Sequence, residues 1–310
     1  MLLQAALLGL ALTTSGCVAR RLAVNTLAEA LAASGTTFAA DDDPELIRAA
    51  LPFSLKLLES LLAESPRHPG LLLASASGFA QYAYAFVQQD AEALEEEDLA
   101  AAEAMRLRAR RLYLRARDYG LRGLEVHHRG FGSALRADPR QAVGAAQARA
   151  VPLLYWTAAA WAGAIALAKD SPDLLAELPL VEAMIDRALE LDEGFGDGAI
   201  HAFLITYEMG RPGGIGKPAA RARQHFERAL ALSGGQLAGP LVAYAEAVCV
   251  QSQDLAEFES VLGRALAIDP EARPAWRLAN LVGQRRARWL LQRTEQLFLR
   301  PRPVDAKESE

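Results

Sequence analysis

Few residues in this chain are spaced for chemistry. The five histidines, His68, His127, His128, His201 and His225, are the first candidates for a metal or acid–base site. None belongs to a His-Glu-x-x-His pair, the spacing that sets two imidazoles on one helix face around zinc. His127 and His128 are adjacent, so a helix points them to different faces and they cannot grip one ion together. All five read as scattered surface or interface residues. The stretch Gly210-Arg211-Pro212-Gly213-Gly214-Ile215-Gly216-Lys217-Pro218 suggests a phosphate cradle and fails on register. A P-loop needs glycine where Arg211 stands and Ser or Thr where Pro218 stands. Glu193-Gly194-Phe195-Gly196-Asp197-Gly198 reads as an interhelical loop. No Gly-x-Ser-x-Gly elbow occurs, so a serine hydrolase has no anchor. Carboxylates are plentiful, but no pair stands out. The expectation is a non-enzymatic protein with no cofactor and no metal.

The two cysteines carry more information. Met1 to Leu12 is an uncharged apolar run, too short to span a bilayer and of the length of a signal-peptide core. Ser15-Gly16-Cys17 follows it and fits a bacterial lipobox, in which the cysteine is acylated and becomes the mature N-terminus. Thr14 stands where leucine is usual, and no Lys or Arg precedes the run. Cys17 is therefore the expected lipid attachment site; a short buried helix is the alternative. Cys249, in the helical pattern Val242 to Cys249, reads as a buried, inert thiol.

Aromatic placement is the other signal. Phe79, Tyr82 and Phe86 share a helix face at three-to-four spacing. Tyr155, Trp156 and Trp161 lie in the uncharged run Val151 to Ala168, and Phe203 and Tyr207 are four apart. In a helical solenoid such aromatics can line a concave, apolar surface. The expected cavity residues are Tyr82, Phe86, Trp156, Trp161, Phe203 and Tyr207; ordinary core packing is the competing account.

The elements that must position them are helices. The chain has 310 residues, 52% hydrophobic and only 7% aromatic, with net charge −5. That excludes a disordered chain and argues against binding nucleic acid through phosphate neutralisation. Alanine and leucine dominate and strand signals are absent. Asp43-Pro44-Glu45 is a helix start, with Leu51, Leu55, Leu58 and Leu62 as its apolar stripe. A second helix is expected from Leu71 to about Gln89. Residues 92–122 read as one long helix, acids first and arginines last, an order that complements the helix dipole. That basic run reads as a solvated face that could also meet anionic lipid or a partner. The run Val151 to Ala168 just reaches spanning length, but Pro152 and its alanines favour a buried helix.

A phrase also repeats. Ala188-Leu189-Glu190-Leu191-Asp192 recurs as Ala229-Leu230-Ala231-Leu232-Ser233 and as Ala265-Leu266-Ala267-Ile268-Asp269. The offsets of 41 and 36 residues lie near the tetratricopeptide period of roughly 34. The fold expected is an all-α, tetratricopeptide-like helical-hairpin solenoid. The expected divisions are a leader over 1–16, a tether and first helix over 17–40, one continuous array over 41–299, and a disordered tail over 300–310.

Several separated phrases resemble one family. They are Ser34-Gly35 through Asp41-Asp42-Asp43-Pro44-Glu45-Leu46, Leu51-Pro52-Phe53-Ser54-Leu55-Lys56, and Gly78-Phe79-Ala80-Gln81-Tyr82-Ala83. Leu154-Tyr155-Trp156 with Ala160-Trp161, Ala279-Asn280-Leu281, and Arg285-Arg286-Ala287-Arg288-Trp289-Leu290-Leu291 complete the set. Together they look like the T component of tripartite ATP-independent periplasmic (TRAP) transporters. The resemblance implies a periplasmic lipoprotein, anchored by lipid to a bacterial membrane, that forms a homotrimer. It implies docking of the transporter's solute-binding protein and a cavity for hydrophobic or organic-acid ligands. A general envelope scaffold, binding peptides or proteins through a helical groove, is the rival. Neighbouring transporter genes would separate the two.

Overall fold

The computed structural model describes residues 35–211 and 215–299. Cys17, the leader and the 300–310 tail lie outside them, so the expectations placed there stay expectations. Every regular element among the described residues is helical. The chain divides into two compact units, Met1–Phe195 and Gly196–Glu310.

The first unit is built on α1 (Pro44–Glu64), α2 (Pro69–Leu94), α3 (Leu99–His127), α4 (Val151–Ala166) and α5 (Leu178–Leu191). Each packs against its predecessor in the chain. The α1 start is the one its sequence predicts: Asp43 accepts hydrogen bonds from the Glu45 and Leu46 amides, both at 3.0 Å. Leu55, Leu58 and Leu62 of the expected stripe are buried, while Leu51 is half-buried.

The third helix begins later than its charge pattern predicts. Asp98 adopts an extended backbone and its carboxylate caps the Ala101 amide at 2.9 Å, which starts α3 at Leu99. Glu92 therefore belongs to the end of α2, and Glu95 to Glu97 to the turn. The acids are a turn and a cap rather than a helical first turn. An N-cap acts through one local hydrogen bond, and here it overrides the reading by charge order.

The helix α3 lies against both α2 and α4. The α3–α4 contact is close because glycine makes it so. A Cβ on Gly120 would stand 2.1 Å from Thr157 Oγ1, and one on Gly123 2.6 Å from a Leu153 methyl. The uncharged run is a buried helix as expected: Val151, Leu154, Ala158, Trp161 and Ala164 of α4 are at most 1% exposed. The described helix that is long and apolar enough to cross a membrane is instead α2, and 56% of its apolar window is buried inside the protein.

The second unit comprises α6 (Ala199–Gly210), α7 (Pro218–Ser233), α8 (Ala238–Tyr244 continued by a π turn Ala245–Cys249), α9 (Leu255–Leu266) and α10 (Arg277–Gln292). Its core gathers Ile205, Phe226, Tyr244, Cys249, Phe258 and Leu262. Two buried amides of α10 close helix ends that would otherwise be orphaned. Asn280 accepts from the Ala238 amide at 2.9 Å and donates to the Gln236 carbonyl at 3.0 Å. Gln284 Nε2 reaches the carbonyls of Ala265, Leu266 and Ile268, at 3.2, 3.3 and 2.7 Å.

The repeated phrase has one structural meaning in all three copies. It ends α5, α7 and α9, and its leading alanine, Ala188, Ala229 or Ala265, is fully buried. Alanine there lets the last turn approach a neighbouring helix without a cavity.

Candidate functional site

Three of the four nominated aromatics of the first unit, Tyr82, Phe86 and Trp161, sit under arginines. Tyr82 ends the regular part of α2, and the next six residues, Ala83–Gln88, form a π turn. Such turns widen the backbone and turn side chains off the normal helical spacing. Tyr82 and Phe86 are 7% and 4% exposed, with ring centroids 6.0 Å apart. Arg108 lies 5.7 Å over Tyr82 and donates to its hydroxyl at 3.2 Å. Arg48 lies 5.1 Å over Phe86 and is ion-paired with Asp90. Gln88, at the end of the turn, accepts from the Tyr113 hydroxyl at 2.8 Å.

Two further arginines of α3 repeat the arrangement. Arg115 covers Phe79 at 5.3 Å, and Arg122 covers Tyr119 at 5.2 Å. Tyr119 donates to Glu59 at 2.7 Å, and Glu59 also takes Lys56 at 2.5 Å and Arg115 at 3.2 Å. Burial pushes the Glu59 carboxyl up, but hydrogen bonds from Lys56 and Tyr119 and the charge of Arg115 outweigh it and hold it below its ordinary value. Burial and the Glu59 hydrogen bond push Tyr119 up to about 12.

On α4, Trp161 is 1% exposed. Its indole donates to Glu177 at 2.7 Å while Arg117 covers the ring at 5.0 Å. Trp156 is half-buried and edge-on to Tyr155 at 5.0 Å. In the second unit, Phe203 and Tyr207 are half-buried and stacked at 5.6 Å. The six nominated residues thus fall into two sets. Tyr82, Phe86 and Trp161 are core residues, and Trp156, Phe203 and Tyr207 retain accessible surface.

Two of the cavities open to solvent lie in the first unit. One, of about 400 Å³, is lined by Arg111, Leu114, Arg115, Asp118, Tyr119 and Arg122. The other, of about 580 Å³, lies between the short helix Pro139–Gly144 and α5, with Asp138, Glu182, Asp186 and Glu190 set against Arg140 and Arg187. None of the six nominated aromatics lines either cavity.

The second unit holds a cluster that the sequence did not reveal. His201 Nδ1 and His225 Nδ1 are 2.9 Å apart, joining α6 to α7. One must donate and the other accept, so only one of the two nitrogens can carry a proton while the contact lasts. Beside them Glu208, 2% exposed, takes Arg211 at 2.8 Å and the Arg221 guanidinium. Arg221 also holds the carbonyls of Ile215 and Gly216, at 3.2 and 2.9 Å. Burial lowers the His225 pKa, as do His201, Arg211 and Arg221, against the pull of Glu208. Burial raises the Glu208 carboxyl, but its two arginines outweigh that and hold it below the usual value. Helix packing brings together histidines 24 positions apart, and no local spacing announces it. Cys249 is the buried, inert thiol expected, pushed up to about 12 by desolvation. Among the described residues no three or more His, Cys, Asp or Glu are grouped to hold a metal.

Among the described residues the frame is all-helical, with arginine-capped aromatics in the first unit and the Glu208 cluster buried in the second. A family model for the TRAP transporter T-component matches residues 40–298. An uncharacterized protein of Treponema pallidum (strain Nichols) is 32% identical over 306 residues, covering 93% of this chain and 95% of that protein. The chain belongs to the TRAP transporter T-component family. It is thus an accessory component of a periplasmic transport system, associated with the other transporter parts.

Proposed function

We propose that this T component docks the solute-binding protein of its TRAP transporter in the periplasm, tethered by lipid on Cys17, as a homotrimer. Family membership over nearly the whole described chain carries this reading. A tetratricopeptide-like stacking of helix pairs is its structural side. It is supported by the sequential packing of α1 to α5 and by the buried alanine that closes α5, α7 and α9. An apolar ligand would enter at Trp156 in the first unit or, separately, at Phe203 and Tyr207 in the second; all three rings keep accessible surface. Tyr82, Phe86 and Trp161 would join only if the core opened around them.

The test is a titration of the purified protein with the solute-binding protein encoded beside it. Saturable association across ionic strengths is the expected result; none at any salt concentration overturns the docking. Cys17→Ser should leave the fold intact and release the protein from membranes, read by fractionation. A variant that stays membrane-bound would place the anchor elsewhere.

A further inference from the structure

The outward face of α3 carries two parallel stripes. At 100° per residue, Arg108, Arg111, Arg115 and Arg122 fall within roughly 60° of the helix circumference. Leu107, Leu114 and Leu121, seven apart, run beside them. Both stripes lie away from the buried line of Ala102, Ala109, Ala116 and Gly123 that packs into the unit. All four arginines are exposed, Leu107 is 38% exposed, and Leu114 and Leu121 are half-buried. The arginine stripe runs for roughly 20 Å along a helix that rises 1.5 Å per residue.

The charge on this face is only partly balanced. Asp118 is taken by Arg117 at 2.8 Å, and Glu59 is shared by Lys56, Tyr119 and Arg115. Arg122 donates to a backbone carbonyl, that of Pro66, at 3.0 Å. Arg108 donates to a phenol. Arg111 has no hydrogen-bond or ion-pair partner among the described residues. Three of the guanidiniums lie over aromatic rings, at 5.2 to 5.7 Å from the ring centroids. Such contacts position an arginine while it keeps its charge and donors it has not yet used.

We propose that this face of α3 lies on an anionic phospholipid surface, with arginines to the lipid phosphates and the leucine line toward the acyl boundary. Exposed arginines beside a line of leucines on one helix are the composition of an interfacial helix. The associated cavity is shallow and open, so it offers a plane rather than an enclosed site. Phe79 and Tyr82 are buried under the arginines and Tyr119 is half-buried, so this face offers little aromatic surface to anchor a protein partner. The face is independent of the docking proposed above, and each can fail alone.

The full chain carrying Cys17→Ser, which cannot be acylated there, would be sedimented with two kinds of vesicle. One is phosphatidylcholine alone and the other phosphatidylcholine mixed with phosphatidylglycerol. The N-terminal amine, Arg20 and Arg21 add the same anionic preference to every variant, so comparison of variants within the same chain reads the α3 arginines. Expected is tighter binding to the anionic vesicles that fades with salt. Neutralising one arginine should weaken it by roughly fivefold. Arg111→Gln is the cleanest variant because Arg111 supports nothing in the fold. Arg111→Gln with Arg122→Gln should compound the loss, with circular dichroism confirming that the helices persist. Leu107→Ser should weaken binding to both vesicles by a similar factor. Equal binding to the two vesicles, or an anionic preference untouched by Arg111→Gln, overturns the proposal. So does retention on immobilised polyglutamate without any vesicle preference, which would assign the face to an acidic protein.

Discussion

The two π turns make a natural comparison. One follows Tyr82 in the first unit and the other follows Tyr244 in the second. Each tyrosine lies under an arginine, Arg108 at 5.7 Å and Arg223 at 5.2 Å. From there the surroundings diverge. Tyr82 accepts from its arginine, and the turn ends in Gln88 held by a phenol. Tyr244 instead donates to Glu257 at 3.2 Å, and Glu257 takes Arg223 through both oxygens at 2.8 Å. The second turn carries Glu246, closed by Arg286. The same backbone device therefore sits beside one carboxylate-paired arginine, Arg48, and one held only by a phenol, Arg108, in the first unit, whereas in the second both Arg223 and Arg286 are tied to carboxylates. Closed pairs hold a fold, and open arginines are available to a partner.

The contrast can be broken most sharply at Glu208. Glu208→Ala removes the buried carboxylate shared by Arg211 and Arg221, whose side chains are only 20% and 18% exposed. It should cost roughly 3 kcal/mol in the stability of the second unit. Chemical denaturation followed by tryptophan fluorescence would show it, and a loss below a few tenths would mean the pair is solvated. Gly120→Ala comes next. Its Cβ would press on Thr157 Oγ1 and approach Thr157 Cα to 3.3 Å. Overpacking of this kind costs about 1–3 kcal/mol and would appear as a lower Tm in the first unit.

The pH dependence of the second unit rests on His225 and Glu208. Unfolded His225 takes up a proton near its ordinary 6.5, before the folded one does. The stability tied to it is complete above that value and declines as pH falls below it. Glu208 adds a second loss as pH falls below its ordinary 4.5 toward its lower folded value. Tm measured from pH 8 to pH 3 should therefore fall in two stages, and His225→Gln should shrink the first, leaving the share of His127, whose pKa burial also lowers. The smallest effect belongs to Arg111→Gln, which should leave Tm unchanged within a degree or so, as exposed substitutions do.

Local signals were the legible ones. Asp43-Pro44 announces α1 because an N-cap and a helix-compatible proline act within three residues. The alanine-leucine phrase marks three helix ends because close packing needs a small side chain there. The start of α3 differs from the charge pattern because acids in a turn and acids in a first helical turn look alike in a one-dimensional sequence. The histidine pair and the inward aromatics were hidden for another reason. Which face of a helix meets a neighbour is decided by partners distant in the chain. Six aromatics at helical spacing could have lined a surface, and three of them are core.

Cys249 gives the second unit a built-in clock. Its sulfur is fully enclosed and its thiol is held at about 12, so a thiol reagent at neutral pH finds almost no thiolate until α8 opens. With Cys17 changed to serine it is the single thiol in the chain. The labelling rate then counts the openings of that unit alone, without any probe having to be introduced.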